Sequence, residues 1–214
     1  MNVAVVAGTP VDTRMGVDLL KSRSGEGTGF PVSRTPEEQT AFQVGAQSVR
    51  EAVVGEIFDQ IRTRGMNRVL VYCNSLSAAV DVHGLAALRG LRAWTPMDVY
   101  GEIAGQYRRV GVLAANCQGA AGVERAMVNA APEILVLGAA NLALVQGVEA
   151  AVPPERLVES CGLETLLRFF ERNGAEAVVL GCTHFPYVRE ALQARTALPV
   201  LDPAERLAEL VLGA

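Results

Sequence analysis

Two cysteines occupy matched places along the chain. The segments Arg64-Gly65-Met66-Asn67-Arg68-Val69-Leu70-Val71-Tyr72-Cys73-Asn74-Ser75 and Asn173-Gly174-Ala175-Glu176-Ala177-Val178-Val179-Leu180-Gly181-Cys182-Thr183-His184 run alike. Each passes from a glycine through an apolar run to a cysteine 8 residues later, then to two small or polar residues. A thiolate serves as a base near neutral pH and a thiol as an acid. A pair held on opposite sides of one carbon can take a proton from one face and return a proton to the other. A lone free cysteine is more often a small buried hydrophobe. That bland reading is kept for Cys117, near a strand end where it could line a cleft, and for Cys161. For Cys73 and Cys182 the repeated position favours chemistry.

Other residues could assist. His184 stands two residues after Cys182, where it can tune a thiolate or contact a carboxylate, or be a satisfied core or capping histidine. His83 reads as an ordinary helical residue. Asp12 either caps the helix after the first apolar run or enters the cleft. Asn74, Ser75 and Thr183 either hydrogen-bond a substrate or cap helices.

Composition excludes several chemistries. The 214 residues include 18 arginines but one lysine, Lys21, in Leu-Leu-Lys-Ser-Arg. That setting suits neither a Schiff-base lysine nor a phosphate-binding Gly-Lys-Ser/Thr loop. The glycines Gly25, Gly27 and Gly29 follow it and are read as a flexible loop. The four cysteines form no Cys-x-x-Cys pair and have no histidine spacing suited to zinc, so no metal is expected. A net charge of -4 gives no basic footprint for nucleic acid. No apolar run approaches the ~18 residues of a membrane span. Met1 to Gly8 lacks a positive region and reads as a first strand, not a signal peptide. The expected location is a reducing cytoplasm with free thiols.

The elements that must position these residues follow from the apolar pattern. Val3–Ala7, Arg68–Tyr72, Val110–Ala114, Ile134–Leu137 and Ala177–Leu180 are short apolar runs, suited to strands buried on both faces of a parallel sheet. Between them lie amphipathic stretches. Gln39–Arg62 is the longest, with Phe42, Val49, Val53, Val54, Ile57 and Ile61 as its stripe, and Leu163–Arg172 ends at the stop signal Asn173-Gly174. Such alternation predicts an α/β fold. A second echo pairs Val3–Gly8 with Val110–Ala115, and the distance from first strand to cysteine is 70 residues in one half and 72 in the other. Two related halves are therefore expected, with a linker near Trp94-Thr95-Pro96-Met97. Residues 1–95 with 187–214 would form the first lobe and 96–186 the second, the Leu192–Leu212 stretch returning to the first. Ligands of such sheets bind beyond the carboxyl ends of the strands, where Cys73 and Cys182 both lie.

These motifs resemble those of the aspartate/glutamate racemase superfamily, most closely its glutamate racemase branch. Val71-Tyr72-Cys73-Asn74-Ser75-Leu76-Ser77 is similar to the first cysteine motif. Leu180-Gly181-Cys182-Thr183-His184-Phe185-Pro186 is similar to the second and is the more specific. Asp12-Thr13 followed by Gly16 resembles the Asp-Ser loop after the first strand, and Pro31-Val32-Ser33 stands where the family has Pro-Tyr-Gly. The resemblance implies two flavodoxin-like lobes with the active site between them and a proton transfer that uses no cofactor. It implies Cys73 and Cys182 as opposing acid and base, assisted by Asp12 and His184. Thr13, Ser33, Asn74, Ser75 and Thr183 would bind a small acidic amino acid, and a homodimer is compatible with it. Ala115-Asn116-Cys117-Gln118-Gly119 replaces the usual threonine-rich loop, which puts Asn116 and Gln118 toward a substrate carboxylate. The auxiliary glutamate falls at Glu149, with Glu159 as its rival. Glutamate and aspartate both stay open as substrates. A maleate-type cis-trans isomerase or another small-dicarboxylate enzyme of the superfamily is the alternative, with a non-catalytic acid-binding module as the third reading.

One expectation needs no structure. With Lys21 poorly placed and no clustered ligands, activity should survive dialysis against EDTA without added pyridoxal phosphate or nucleotide; activity lost to EDTA and restored only by a metal would contradict it.

Overall fold

The structure, a computed structural model, describes residues 2–213. Met1, which opens the segment read as a first strand, lies outside the described residues. The chain divides into two compact units. One runs to Asp98 and resumes at Ala204; the other is Val99–Pro203.

The first unit begins with β1 (Asn2–Ala7), α1 (Pro10–Ser22), β2 (Glu26–Pro31), α2 (Pro36–Val44) and α3 (Gln47–Thr63). It continues with β3 (Arg68–Val71), α4 (Asn74–Ala79), α5 (Val82–Ala87) and β4 (Arg92–Trp94). The sheet order is β2-β1-β3-β4, all parallel, with Val6 beside Phe30 on one side and Val71 on the other. Residues Val3 to Ala7 are wholly buried, as expected of a strand covered on both faces.

Two expectations fail here. The glycine cluster is not a flexible loop: Gly27 and Gly29 lie in a strand, β2, and Gly25 directly precedes it. A Cβ on Gly29 would lie 2.7 Å from Thr13 Cγ2, and one on Gly27 would lie 3.3 Å from Leu20 and Val5. The glycines are there because α1 lies close over β2, which periodicity cannot reveal. The long helix is also two helices. At Gly45 the backbone turns extended (φ -65°, ψ 177°), and Arg50 Nη1 donates to the carbonyls of Gln43 (2.7 Å) and Gly45 (2.8 Å). A side-chain cation thus satisfies carbonyls left without helical partners. Val54 and Ile61 keep their buried places in α3, but Val49, beside the break, is 55% exposed.

The boundary falls within α6 (Met97–Ala104). The second unit then has β5 (Arg109–Ala114), α7 (Cys117–Ala130), β6 (Leu135–Ala140), α8 (Leu142–Glu149), α9 (Pro154–Ser160) and α10 (Leu163–Arg172). After β7 (Ala177–Gly181) come a 3-10 turn at Phe185–Val188, α11 (Arg189–Gln193) and β8 (Val200–Leu201). Its sheet order, β6-β5-β7-β8, again parallel, repeats that of the first unit. The helix stop after α10 forms as expected, with Gly174 at φ +73°.

The return to the first unit starts at Ala204, not at residue 187. β8 hydrogen-bonds along β7, with Val200 beside Val178, and Leu192 and Val200 join the core of Phe170 and Leu180. Only α12 (Ala204–Gly213) goes back, anchored by ion pairs of Arg23 with Glu205 (3.4 Å) and Glu209 (3.7 Å). Among the described residues no helix is long and apolar enough to cross a membrane.

Packing in the second unit is tight at one checkable point. A Cβ on Gly111, in the middle of β5, would lie 2.5 Å from Cγ of the buried Phe170 ring. Gly111→Ala should therefore cost about 1–3 kcal/mol by overpacking. In a Phe170→Leu background the added cost should shrink, because the two positions share the same space. Chemical denaturation of the four proteins measures both effects, and additive losses would refute the clash.

Candidate functional site

Parallel pairing sends every strand-to-helix turn of a unit to the same end of its sheet, so each unit collects its polar residues there. In the first unit the β1 turn carries Thr9 and Asp12. The Asp12 carboxylate, 1% exposed, accepts from Gly8 N–H (3.2 Å), Thr9 N–H (2.7 Å) and the Thr9 hydroxyl (3.1 Å). It therefore seals the start of α1, as the capping reading anticipated. The Thr13 hydroxyl donates to Thr9 O (2.6 Å) inside the same turn. After β2, the Ser33 hydroxyl donates to Gln39 Oε1 (2.8 Å).

Cys73 follows β3 and stands at the N-cap of α4, 5% exposed. Its sulfur lies 3.6 Å from Ser75 Oγ, and Ser75 Oγ in turn accepts from Gln43 Nε2 at 2.5 Å. An amide that donates into the serine oxygen leaves the hydroxyl proton to point elsewhere, and the sulfur is an acceptor in reach. Asn74 is buried beside it.

The second unit is built on the same plan with different chemistry. Cys182 follows β7, and His184 Nδ1 lies 3.7 Å from its sulfur. The other ring nitrogen, Nε2, lies 3.0 Å from Glu149 Oε1. The His184 side chain is 5% exposed and that of Glu149 16%. Glu149 is the last residue of α8, where a carboxylate meets the negative end of the helix dipole. A position unfavourable to an anion is thus held by its contact with the imidazole. A ring whose Nε2–H is given to a carboxylate can take a proton from the thiol through Nδ1 and hold it as imidazolium. Thr183 is buried between the cysteine and the histidine in sequence.

The sequence-derived residues thus fall into two sets. Asp12, Thr13, Ser33, Cys73, Asn74 and Ser75 gather at the strand ends of the first unit, and Asn116, Glu149, Cys182, Thr183 and His184 belong to the second. Asn116 is the N-cap of α7, its side chain accepting from Gly119 N–H at 2.9 Å. Glu159 stands apart on α9, in an outer groove with Arg156 and Arg168. Cys117 is exposed at the start of α7 and Cys161 partly so. His83 bonds Asp98 (3.0 Å), and that hydrogen bond holds its pKa above the ordinary imidazole value. Gln39 and Gln43 were missed. They are four apart, hence on one face of α2, and both are buried at 6% and 2%. Two glutamines four apart make no motif, and their burial shows only in the structure.

The sequence model described as Asp/Glu/Hydantoin racemase matches residues 28–211. A glutamate racemase of Limosilactobacillus reuteri is 27% identical over 149 residues, which are 64% of this chain and 52% of that protein. The chain spans about half the length of the curated relatives it matches. Among solved structures, glutamate racemase from Francisella tularensis in complex with D-glutamate aligns with a TM-score of 0.77 at 14% identity, covering 99% of this chain and 80% of that one. An aspartate racemase homologue from Pyrococcus horikoshii aligns at 0.71 and 16% identity, covering 100% and 98%. At these identities the structural likeness shows the two-unit α/β fold.

The histidine contact yields a test. A charge-assisted hydrogen bond exceeds a neutral one by about 1 kcal/mol, so Glu149→Gln should slow alkylation of Cys182 by iodoacetamide roughly fivefold at neutral pH. Glu159→Gln should leave that rate unchanged. Peptide mass spectrometry reads the site, and equal effects of the two substitutions would deny Glu149 its role.

Proposed function

Since the chain belongs to the Asp/Glu/hydantoin racemase family, we propose that it is a cofactor-independent amino-acid racemase that interconverts the L and D forms of glutamate or aspartate. The observation that carries this reading is the duplicated cysteine. Each unit ends its third strand, β3 or β7, in a buried thiol that has a polar partner, Ser75 or His184.

The chemistry follows from those partners. A thiolate abstracts the Cα proton, the electron pair passes into the adjacent carboxylate system, and the opposing thiol delivers its proton to the other face. The first sulfur is then a thiol and the second a thiolate, so the enzyme ends primed for the reverse direction. The mechanism requires that both sulfurs reach opposite faces of one carbon. When Cys182 is the base, His184 accepts its proton and Glu149 supports the imidazolium. When Cys73 is the base, the donor at hand is the Ser75 hydroxyl, oriented by Gln43. Asn74, Thr183 and Asn116 supply neutral donors for carboxylates. Asp12 and Thr13 shape the turn after β1. An acidic amino acid uses such donors at two ends, whereas a bulky apolar one leaves them buried without partners, at about 1–3 kcal/mol each.

The test is exchange of the Cα proton in deuterated water, read by nuclear magnetic resonance, with circular dichroism to follow inversion. Glutamate or aspartate should exchange and invert, with phenylalanine far behind. Cys73→Ser and Cys182→Ser should each lower exchange by about 10²–10⁴-fold, since a serine hydroxyl is a poor base at neutral pH. No exchange with any amino acid would overturn the racemase reading. Near-normal exchange in either serine variant would overturn the paired thiols.

A further inference from the structure

We infer that Gln39 is a substrate-binding residue of the first unit, its side-chain amide donating to a carboxylate of the acidic amino acid, an assignment that rests on the racemase reading. Gln39 Oε1 is taken by the Ser33 hydroxyl at 2.8 Å, which pins the orientation of the amide. The other end, Nε2, is buried and has no hydrogen-bond partner among the described residues. The whole residue is 6% exposed. Native proteins seldom leave a buried amide donor unmade, because it has given up water for nothing in return.

The placement points the same way. Ser33 N–H donates to Gly8 O at 2.8 Å and Val32 N–H to Ala7 O at 2.9 Å, so the segment after β2 runs beside the end of β1. Gln39 lies against that junction. Its Cγ and Cδ are 3.0 and 3.1 Å from the place a Cβ on Gly8 would take, and Asp12 Oδ2 is 3.4 Å from the same point. Any side chain at position 8 would push the amide away; glycine leaves room for it. The amide therefore sits between two of the strand-end turns that hold the expected binding residues. The sign of the missing partner is also set. An N–H needs an acceptor, and of the polar groups on an amino acid the ammonium only donates, so the group that fits is a carboxylate.

The experiment compares wild type with Gln39→Glu, Gln39→Leu and Ser33→Ala, each checked for folding by thermal unfolding. Binding of L- and D-glutamate and of aspartate is measured by calorimetry, and Cα exchange in deuterated water gives KM and kcat. A lost hydrogen bond to a charged group should raise Kd and KM about 10- to 100-fold in Gln39→Leu. Gln39→Glu should be worse, since it turns the donor into an anion facing an anion. In both, kcat should change less than KM, as expected for lost uniform binding. Ser33→Ala, which removes only the tether, should fall between wild type and Gln39→Leu, and it carries the test if a Gln39 variant fails to fold. Acid binding that is lost in Gln39→Glu, without proton exchange in wild type, would keep the contact and overturn the racemase. Normal exchange in wild type with unchanged Kd in the variants would overturn the contact, the amide then serving only a buried water. Equal or tighter binding by Gln39→Glu would overturn it as well.

Discussion

Parallel strand pairing is the constraint on which the rest depends. A parallel strand cannot be reached by a tight turn; it needs a crossover, and the crossover leaves every strand at its carboxyl end. In each unit this brings three consecutive exits to one edge of the sheet: after β1, β2 and β3, and after β5, β6 and β7. The same pairing demands cover on both faces. That is why Val3–Ala7 is apolar without alternation, and why Gly29 and Gly111 admit Thr13 and Phe170 so closely. The sheet thus decides both where polar residues can collect and how closely helices can approach them.

At those edges the polar groups divide into two kinds of work. Asp12 and Asn116 accept from N–H groups of their own turns, closing helix ends, and Thr13 bonds the Thr9 carbonyl inside the same turn as Asp12. The groups that hold the cysteines' partners come from farther away. Gln43 reaches Ser75 from α2 across 32 residues, and Glu149 reaches His184 from α8 across 35. Each thiol therefore has a near partner within two residues and a remote one that orients it. The two halves share a sheet order but not this wiring: an amide and a hydroxyl serve Cys73, whereas an imidazole and a carboxylate serve Cys182. Such a pair of thiols would be matched in position and unequal in environment, which suits a reaction run in both directions on mirror-image substrates.

Much of this was legible in the sequence, and for identifiable reasons. The apolar runs name β1, β3, β5 and β7 because burial on both faces leaves no alternation to confuse them; β6 is marked by an apolar run too, but it is an edge strand with no buried residue. The Gly-to-Cys spacing exposes the duplication, since a strand and its preceding helix stop have a set length. Cys182-Thr183-His184-Phe185-Pro186 is local enough to be read as one motif, and it led to the family that residues 28–211 match.

Other features depend on contacts between distant residues, and only the tertiary structure decided them. Gly27 and Gly29 look like a loop until α1 is laid on β2, because a glycine needed for close approach is the same letter as one needed for flexibility. The break at Gly45 depends on Arg50 capping the end of α2. The return of the chain at Ala204 depends on β8 pairing with β7. Distance along the chain favours Glu149 over Glu159, but that Glu149 lies 3.0 Å from His184 is seen only in the folded chain. Gln39 and Gln43 carry no motif at all. Secondary structure and duplication are written in local periodicity, but the orientation of a thiol or a buried amide is set by atoms brought together from elsewhere in the chain.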